Sequence, residues 1–399
     1  MATSKKGLQL QMIDDALALG VKHAALNLNF GRMLQLNQRQ GSIPFTNASR
    51  IYYFDGAYVE AMDRQIRPLS DAGVQITLIL LNYAGQDEAL NKILLHPGYD
   101  PKCPNHLSAF NTTTPEAAGY CAATAGFLAQ RYSSHDSPRG RVVNYVIGNE
   151  VNSHWHWCNM GRVTMEQFAD DYLRTVRLVH SAIREYSPIA RVYVSLEHHW
   201  NIRYAGGDAA QTFAGRPFLD YFARRAREGG DFDWHVAFHP YPENLFEPRT
   251  WNDKTAAMSP DTPRITFKNI ELLPKYLRRD ELLFHGKPRR IILSEQGFHS
   301  APSENGELAQ AAAYCYAYRK VASLEGIDAF ILHRHVDHAN EGGLNLGLWA
   351  RKQNTISDPA RRKPIYEVFR AADTTEWENA FRFALPIIGI TNWSALSNH

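Results

Sequence analysis

Hydrophobic residues follow two alternating patterns along most of the chain. Short apolar runs rich in β-branched residues predict strands that are buried on both faces, as parallel strands are. These runs cover residues 21–30, 75–82, 142–147, 191–196, 232–238, 290–294 and 327–332. Longer segments with apolar residues at helical spacing predict helices, and they cover residues 8–20, 56–72, 115–132, 164–186, 217–228, 307–324 and 364–372, with further helical turns in 265–283. The alternation of strand and helix is typical of a parallel sheet covered by helices.

Polar residues cluster where the predicted strands end. Such clusters at successive strand exits predict a site at the C-terminal face of a (β/α)8 TIM barrel with long loops on that face. Seven of the eight strands are clear in the sequence. The eighth would precede the first helix, so we expect the first strand to be short, missing or replaced by residues 384–390.

Length and composition favour one catalytic domain over residues 1–399. Barrels of this kind routinely exceed about 250 residues as one unit. The hydrophobic fraction of 44% and charged fraction of 21% are those of a globular protein with a large core. A net charge of +2 gives no electrostatic case for a nucleic-acid partner. No run reaches the roughly 20 apolar residues of a membrane span.

The cysteines and the first residues bear on the protein's compartment. Cys103, Cys121, Cys158 and Cys315 lack CxxC spacing, which disfavours a zinc ribbon or a thioredoxin-type motif and leaves buried thiols or up to two disulfides. Asp14 and Asp15 interrupt the apolar residues near the start, so no signal peptide is predicted. The chain as given is expected to stay in the cytoplasm. An extracellular or periplasmic location stays open if the opening residues replaced a leader.

Two strands each deliver one carboxylate to the predicted site. The run at 142–147 ends in Gly148, Asn149 and Glu150, and the run at 290–294 is followed by Glu295. An ionised Glu is very costly to bury unless it is paired. We therefore expect both carboxylates to line a cleft.

These two motifs, together with His239-Pro240-Tyr241 after the strand at 232–238, are similar to clan A glycoside hydrolases. The resemblance covers nearly the whole chain in the order of its elements. It implies that Glu150 is the acid/base, that Glu295 is the nucleophile, and that His239 or Tyr241 lies beside the nucleophile. No clear Arg follows the strand at 23–29, and no Trp directly follows the strand at 327–332, where His333 and His335 stand instead, so the family within the clan and the substrate stay open.

Glycoside hydrolysis with retention needs an acid and a nucleophilic carboxylate about 5 Å apart. Strands four and seven face each other across a barrel, which predicts that spacing for Glu150 and Glu295. Asn149 is expected to bind the sugar 2-hydroxyl, or else to be a strand-end cap. The long segments 83–114 and 241–262 are expected to form the walls of an extended groove for a polysaccharide or oligosaccharide. Tyr241 or His239 is expected to hold Glu295 ionised and oriented.

Aromatic residues and histidines complete the predicted site. Trp rings in the exit loops either stack on sugar or pack under the loops; these are Trp155, Trp157 and Trp200. The histidines either bind an anionic or sulfated sugar, bind a metal, or line a polar rim; the substrate-binding candidates are His154, His199, His239, His333 and His335, and others near the exits are His156, His198 and His338.

No cofactor and no metal is expected, and the expected partner is a carbohydrate. A barrel metallohydrolase is the main alternative, although its His-x-His motif belongs on the first strand, whereas here the motif follows strands four and eight. A catalytically inactive carbohydrate-binding barrel is the third alternative, which the presence of both carboxylates argues against.

Overall fold

Eight parallel strands form a closed barrel in the computed structural model, which describes residues 2–135 and 137–398, with side chains to residue 396. We number the barrel strands in chain order: β1 Lys6–Gln9, β2 His23–Asn29, β3 Gln75–Leu81, β4 Val142–Ile147, β5 Arg191–Glu197, β6 Trp234–His239, β7 Ile291–Gln296 and β8 Ile327–Leu332. Each strand pairs with its neighbours in sequence, and β1 pairs with both β2 and β8 to close the barrel. The predicted (β/α)8 fold is confirmed.

Helices follow the strands and cover the outside of the barrel. The longer ones are Gly56–Asp71, Pro115–Tyr132, Met165–Arg184, Gly215–Glu228, Glu304–Ala322 and Pro364–Ala371. The shorter ones are Ile13–Ala18, Phe30–Met33, Glu88–Leu94, His154–Trp157, Leu272–Tyr276, Trp377–Phe381 and Ala384–Ile388. Thr164 begins its helix with a capping box to Gln167, and Thr114 caps the helix that starts at Pro115. Across the described residues, no helix is long and apolar enough to cross a membrane.

The hydrophobic pattern did not locate the first strand correctly. Residues 8–20 were expected to be one helix, but they contain the end of β1 and the short helix Ile13–Ala18. β1 carries the buried Lys6, whose amine donates to the carbonyls of Arg370 and Ala372 at the end of a helix. Because Lys6 is charged although only 3% exposed, β1 lacks the continuous apolar run that identifies a buried strand in a sequence. Residues 384–390 do not replace this strand, because Ala384–Ile388 is helical.

Hydrophobic residues pack in two separate cores. One lies inside the barrel and contains Ala25, Ile79, Val146, Tyr193, Ala237, Ile292, Ala329 and Ile331. The larger one lies between the barrel and its helices. Both faces of each barrel strand are therefore buried, as the continuous apolar runs predicted. All four cysteines are buried free thiols.

Several segments are added to the barrel, among them a two-stranded antiparallel sheet of Trp349–Arg351 and Pro359–Arg362 after β8. Residues 31–55 contain a three-stranded antiparallel sheet of Leu34–Gln35, Arg50–Phe54 and Ile43–Asn47, and Phe54 stacks on Phe127 of a barrel helix. The segments 83–114 and 241–262 begin where β3 and β6 end, at the C-terminal face. They therefore stand on the face where the strand-exit carboxylates lie.

Candidate active site

Glu150 lies on a left-handed turn at the end of β4. The backbone φ is +72° at Gly148 and +40° at Glu150. The first angle suits glycine, whereas the second is uncommon for a side chain of this kind. The Glu150 amide donates to Ser195 Oγ on β5 at 2.9 Å, which fixes the turn against the neighbouring strand. The side chain stays 13% exposed, so its carboxylate is open to the cleft.

Glu295 and Glu150 approach each other across the barrel mouth. One carboxylate oxygen of each lies within 4.8 Å of the other, and a nitrogen of His239 lies within the same limit. Tyr241 donates its hydroxyl to Glu295 Oε1 at 3.1 Å. Burial, and then the negative charges of Glu295, Glu341 and Glu150, raise the pKa of Tyr241 well above its usual value. Its hydroxyl therefore keeps the proton that it donates.

His239 connects the two carboxylate-bearing strands. Its Nδ1 lies 2.8 Å from Glu150 Oε1, and its Nε2 lies 2.9 Å from Ser294 Oγ on β7. The pKa of Glu150 is raised. Burial is the largest cause and outweighs His239, which lowers this pKa through its hydrogen bond and charge, and the negative charges of Glu295 and Glu197 raise it further. Burial opposes protonation of His239, but the bond to Glu150 and the charges of the surrounding carboxylates outweigh it and raise the pKa. Both shifts favour a proton held between Glu150 and His239.

Two more predicted residues lie at this end of the barrel. Asn149 is half-buried beside Glu150, and its side chain makes no hydrogen bond to any residue that the structure describes. Trp157 packs against the core inside the barrel together with Tyr83. Both side chains are partly exposed. His199 lies at the end of β5, next to His198, where it binds Glu197 through Nδ1 at 2.6 Å.

Two predicted site residues are buried away from the cleft. His154 is 0% exposed and its ring lies between Phe168 and Phe213, with centroids 4.6 and 4.9 Å away. Trp200 packs in the outer core against Phe238 and Tyr276. These positions correct the expectation that both side chains bind sugar: their segments turn back to cover apolar surface on leaving the barrel.

The histidines after β8 also hold structure together. His335 is buried; its Nδ1 accepts from the amides of Gln11 and Met12, and its Nε2 lies 2.8 Å from Asp15 Oδ2. It therefore anchors the start of the chain and is not open to a substrate. His333 contacts Gln9 and Glu341.

Trp155 is half-buried, and only its backbone makes hydrogen bonds to described residues.

Sequence reasoning missed two residues near the carboxylates. Tyr83 follows β3 and packs, like Trp157, against the core inside the barrel; its pKa is raised by burial and then by the negative charge of Glu295. Its position directly after a strand was an available signal. Glu341 lies in the segment after β8; burial opposes its ionisation, but His333 and Arg334 outweigh burial and hold its pKa at about 2. No periodicity marks that residue.

Among the residues that the structure describes, two groups of side chains have donor atoms close enough together to hold a metal ion. They are Glu150, His239 and Glu295, and the consecutive Glu197, His198 and His199. In the second group both Glu197 oxygens already accept hydrogen bonds. A metal there would have to displace those donors, so the chemistry of this group fits a hydrogen-bond network better than a metal site.

A protein-family model described as a family of unknown function, DUF5722, matches residues 1–396. The chain belongs to this family. No curated protein has a sequence that matches this DUF5722 chain.

Solved structures with the same fold include several glycoside hydrolases. A family 39 glycoside hydrolase from the gut symbiont Bacteroides cellulosilyticus WH2 is 14% identical with a TM-score of 0.55, over 91% of this chain and 60% of that one. The chain thus spans less than two thirds of that relative. A β-glucosidase from Pyrococcus furiosus is 16% identical with a TM-score of 0.58, over 94% and 86% of the two chains. A family 1 β-glucosidase from Thermotoga maritima is 13% identical with a TM-score of 0.56, over 90% and 84%.

These likenesses establish the fold. The neighbours are glycoside hydrolases of families 39 and 1, so the resemblance to the clan A barrel, which was based on short motifs, is confirmed at the level of architecture. The family within the clan is not identified by them. Function has to be argued from the site itself.

Proposed function

We propose that this chain is a retaining glycoside hydrolase with Glu150 as acid/base and Glu295 as nucleophile. One observation carries the proposal: carboxylate oxygens from the ends of β4 and β7 lie within 4.8 Å of each other. That separation suits direct attack by one carboxylate while the other protonates the leaving group, whereas inverting enzymes need about 6.5 to 9.5 Å between carboxyl groups to admit a water molecule.

The reaction follows from these positions in two steps. Glu295 attacks the anomeric carbon, the bond from that carbon to the glycosidic oxygen breaks, and Glu150 gives its proton to the departing oxygen. The deprotonated Glu150 then removes a proton from water, whose oxygen attacks the anomeric carbon and releases Glu295. The first step leaves Glu295 bonded to the sugar and Glu150 deprotonated, and the second step returns both carboxyl groups to the states in which they began.

The surroundings support these two roles. The pKa of Glu150 is raised chiefly by burial, which favours the protonated form that the first step requires. Tyr241 donates to Glu295, which orients the attacking carboxylate and supports its negative charge. His239, held by Ser294, fixes the Glu150 carboxylate from the other side.

The charges around Glu150 and Glu295 favour an uncharged sugar. The histidines in the sequence had left an anionic or sulfated sugar open. The charged neighbours that raise the pKa of Tyr241 are the carboxylates Glu295, Glu341 and Glu150. A sulfate or uronate would meet like charge there. Asn149 has an amide without a hydrogen bond to any described residue, which is available for a sugar hydroxyl, and Trp157 and Tyr83 are partly exposed aromatic rings, a residue type that stacks on sugars.

Substrate screening with paired variants tests the proposal. A panel of neutral, uronate-containing and sulfated glycans, begun with β-glucosides because two structural neighbours are β-glucosidases, should reveal hydrolysis of a neutral member. Glu150→Gln and Glu295→Gln should each lower kcat by about 10³-fold or more, since each removes a group that bonds to the reacting atoms. Glu116→Gln, at an exposed helix residue, is the control and should stay near wild-type activity.

Product analysis and chelation separate the alternatives. NMR of the first product should show the anomer of the substrate, because two displacements restore the configuration; the opposite anomer would contradict retention. Activity should persist in the presence of a chelator, whereas its loss and recovery with added metal would favour the metallohydrolase. Full activity of both Gln variants would refute the assignment of the two carboxylates.

A further inference from the structure

We propose that Glu197 is a positioning residue that holds the acid/base Glu150 in its working geometry and keeps it protonated; this inference rests on the proposed function. Glu197 is the last residue of β5 and is 6% exposed. An ionised carboxylate in such a place needs several partners to offset the loss of water. Its partners show which part of the site it controls.

Both oxygens of Glu197 are fully engaged. Oε1 accepts from Asn152 Nδ2 at 2.7 Å and from Ser153 Oγ at 3.0 Å. Oε2 accepts from the His199 amide at 2.8 Å and lies 2.6 Å from His199 Nδ1. The Glu197 amide in turn donates to Asn152 Oδ1 at 3.0 Å, so Asn152 and Glu197 bind each other reciprocally between β4 and β5.

These bonds fix the turn that carries Glu150. Val151–Ser153 is a single 3-10 turn directly after Glu150, and the Ser153 amide donates to the Glu150 carbonyl at 2.8 Å. A turn of three residues has little rigidity of its own. β5 therefore holds Glu150 on both sides. Ser195 binds the Glu150 amide, and Glu197 binds the side chains of Asn152 and Ser153 in the turn that follows. A left-handed non-glycine residue persists only where its surroundings fix it in this way.

The histidines after Glu197 extend the same network to the opposite wall. Arg264 Nη2 donates to His199 Nε2 at 3.3 Å, and a guanidinium can only donate, so the ring carries its hydrogen on Nδ1, which faces Glu197. His198 Nδ1 donates to the carbonyl of Tyr241 at 2.9 Å. The end of β5 therefore connects the turn that carries Glu150 with the residue that orients Glu295.

Glu197 is also a fixed negative charge near the acid/base. Burial opposes its ionisation, but the hydrogen bonds that it accepts from the ring and the amide of His199 outweigh burial and hold its pKa at about 2. Its charge is one of the causes that raise the pKa of Glu150. Removal of that charge lowers the cost of ionising Glu150, so the acid would lose its proton at a lower pH.

Glu197→Gln tests the proposal, because it removes the charge with almost no change of shape. Against a substrate with a poor leaving group, kcat/KM should fall about tenfold or more, and the alkaline limb of its pH profile should move to lower pH by about half a unit or more. Against an aryl glycoside whose leaving group needs no proton, kcat/KM should stay within about threefold. A role confined to folding would lower both values equally and leave the pH profile in place.

Two further variants keep the test decisive. Ser153→Ala removes one donor to Glu197 and should change the leaving-group ratio in the same direction by a smaller factor, even if Glu197→Gln does not fold. Asp63→Asn, at a carboxylate bound by Arg131 and Tyr132 between two outer helices, should lower the melting temperature and leave the ratio unchanged.

The outcomes distinguish the two proposals. If Glu150→Gln is inactive while Glu197→Gln and Ser153→Ala keep the wild-type ratio and pH profile, the role of Glu197 is refuted and the glycosidase assignment stands. If the wild-type protein hydrolyses no glycoside, the proposed function fails and the role of Glu197 fails with it.

Discussion

At the scale of single residues, the site depends on how each ionisable side chain is held. Glu150 and Glu295 are both glutamates at strand ends, yet they have different partners: His239 contacts the first, and the Tyr241 hydroxyl contacts the second. Two carboxylates can take opposite roles only if their environments separate their protonation states. The different partners distinguish the two glutamates, and burial raises the pKa of Glu150.

Tyr241→Phe should lower kcat about tenfold or more with little change in melting temperature. The substitution removes one donor to a charged acceptor, a bond worth about 1.5 to 3 kcal/mol, and keeps the ring that fills the space. Steady-state kinetics and thermal unfolding provide the two measurements. Tyr221→Phe is a matched control, since Tyr221 donates to Asp170 on the outer helices at 3.2 Å and should keep its activity. Unchanged turnover in Tyr241→Phe would contradict a role for the hydroxyl.

At the scale of elements, the short first strand is held by side chains from the other end of the chain. Asp15, in the helix Ile13–Ala18, lies within hydrogen-bond distance of His335 Nε2 at 2.8 Å, Trp349 Nε1 at 2.9 Å and Tyr366 Oη at 2.8 Å. A four-residue strand cannot be stable alone. These contacts join the helix that directly follows this strand to the segments after β8 and so help to close the barrel.

Asp15→Ala should lower the free energy of unfolding by about 2 kcal/mol or more, because three donors lose their acceptor in a largely buried place. Urea unfolding followed by fluorescence measures the change. Asp14→Ala is a strict control, because the neighbouring Asp14 is exposed in the same helical turn. Equal stability of the two variants would show that Asp15 does not hold the strand.

At the scale of the whole molecule, the barrel gathers loops from distant parts of the chain around one mouth. Asn105 in segment 83–114 donates to the His156 carbonyl after β4 at 3.1 Å, while Arg264, just beyond segment 241–262, bonds His199 after β5. The two long segments are therefore attached to the exits of the strands that lie between them. Phe246 in the second segment is 54% exposed, an unusual position for so apolar a side chain.

We expect kcat/KM to rise with the number of sugar units in a neutral oligosaccharide until the groove is filled. A series from two to about six units, assayed by product chromatography, measures this dependence. Phe246→Ala should lower kcat/KM for the longest member by about three- to tenfold, the equivalent of one stacking contact, and leave the disaccharide unchanged. A flat dependence on length would contradict an extended groove.

The strand-exit residues were predictable because a parallel barrel presents every strand's C-terminal end at one face. Glu150, Glu295, His239 and Tyr241 follow apolar runs in the sequence, and the structure brings all four together. The buried residues were not predictable by that reasoning. His154 also follows a strand, but it turns into the outer core after one more helical turn.

The sequence by itself determined the barrel and the two strands that carry the carboxylates, because continuous apolar runs, helical spacing and strand-end polar residues are local properties of the chain. Tertiary structure alone decided which histidines face the cleft, how a strand that begins with a buried lysine completes the barrel, and that Glu197 contacts the turn of Glu150. Those outcomes depend on contacts between residues far apart in sequence, such as Asn152 and Glu197, which are 45 positions apart. Local sequence patterns do not indicate such contacts.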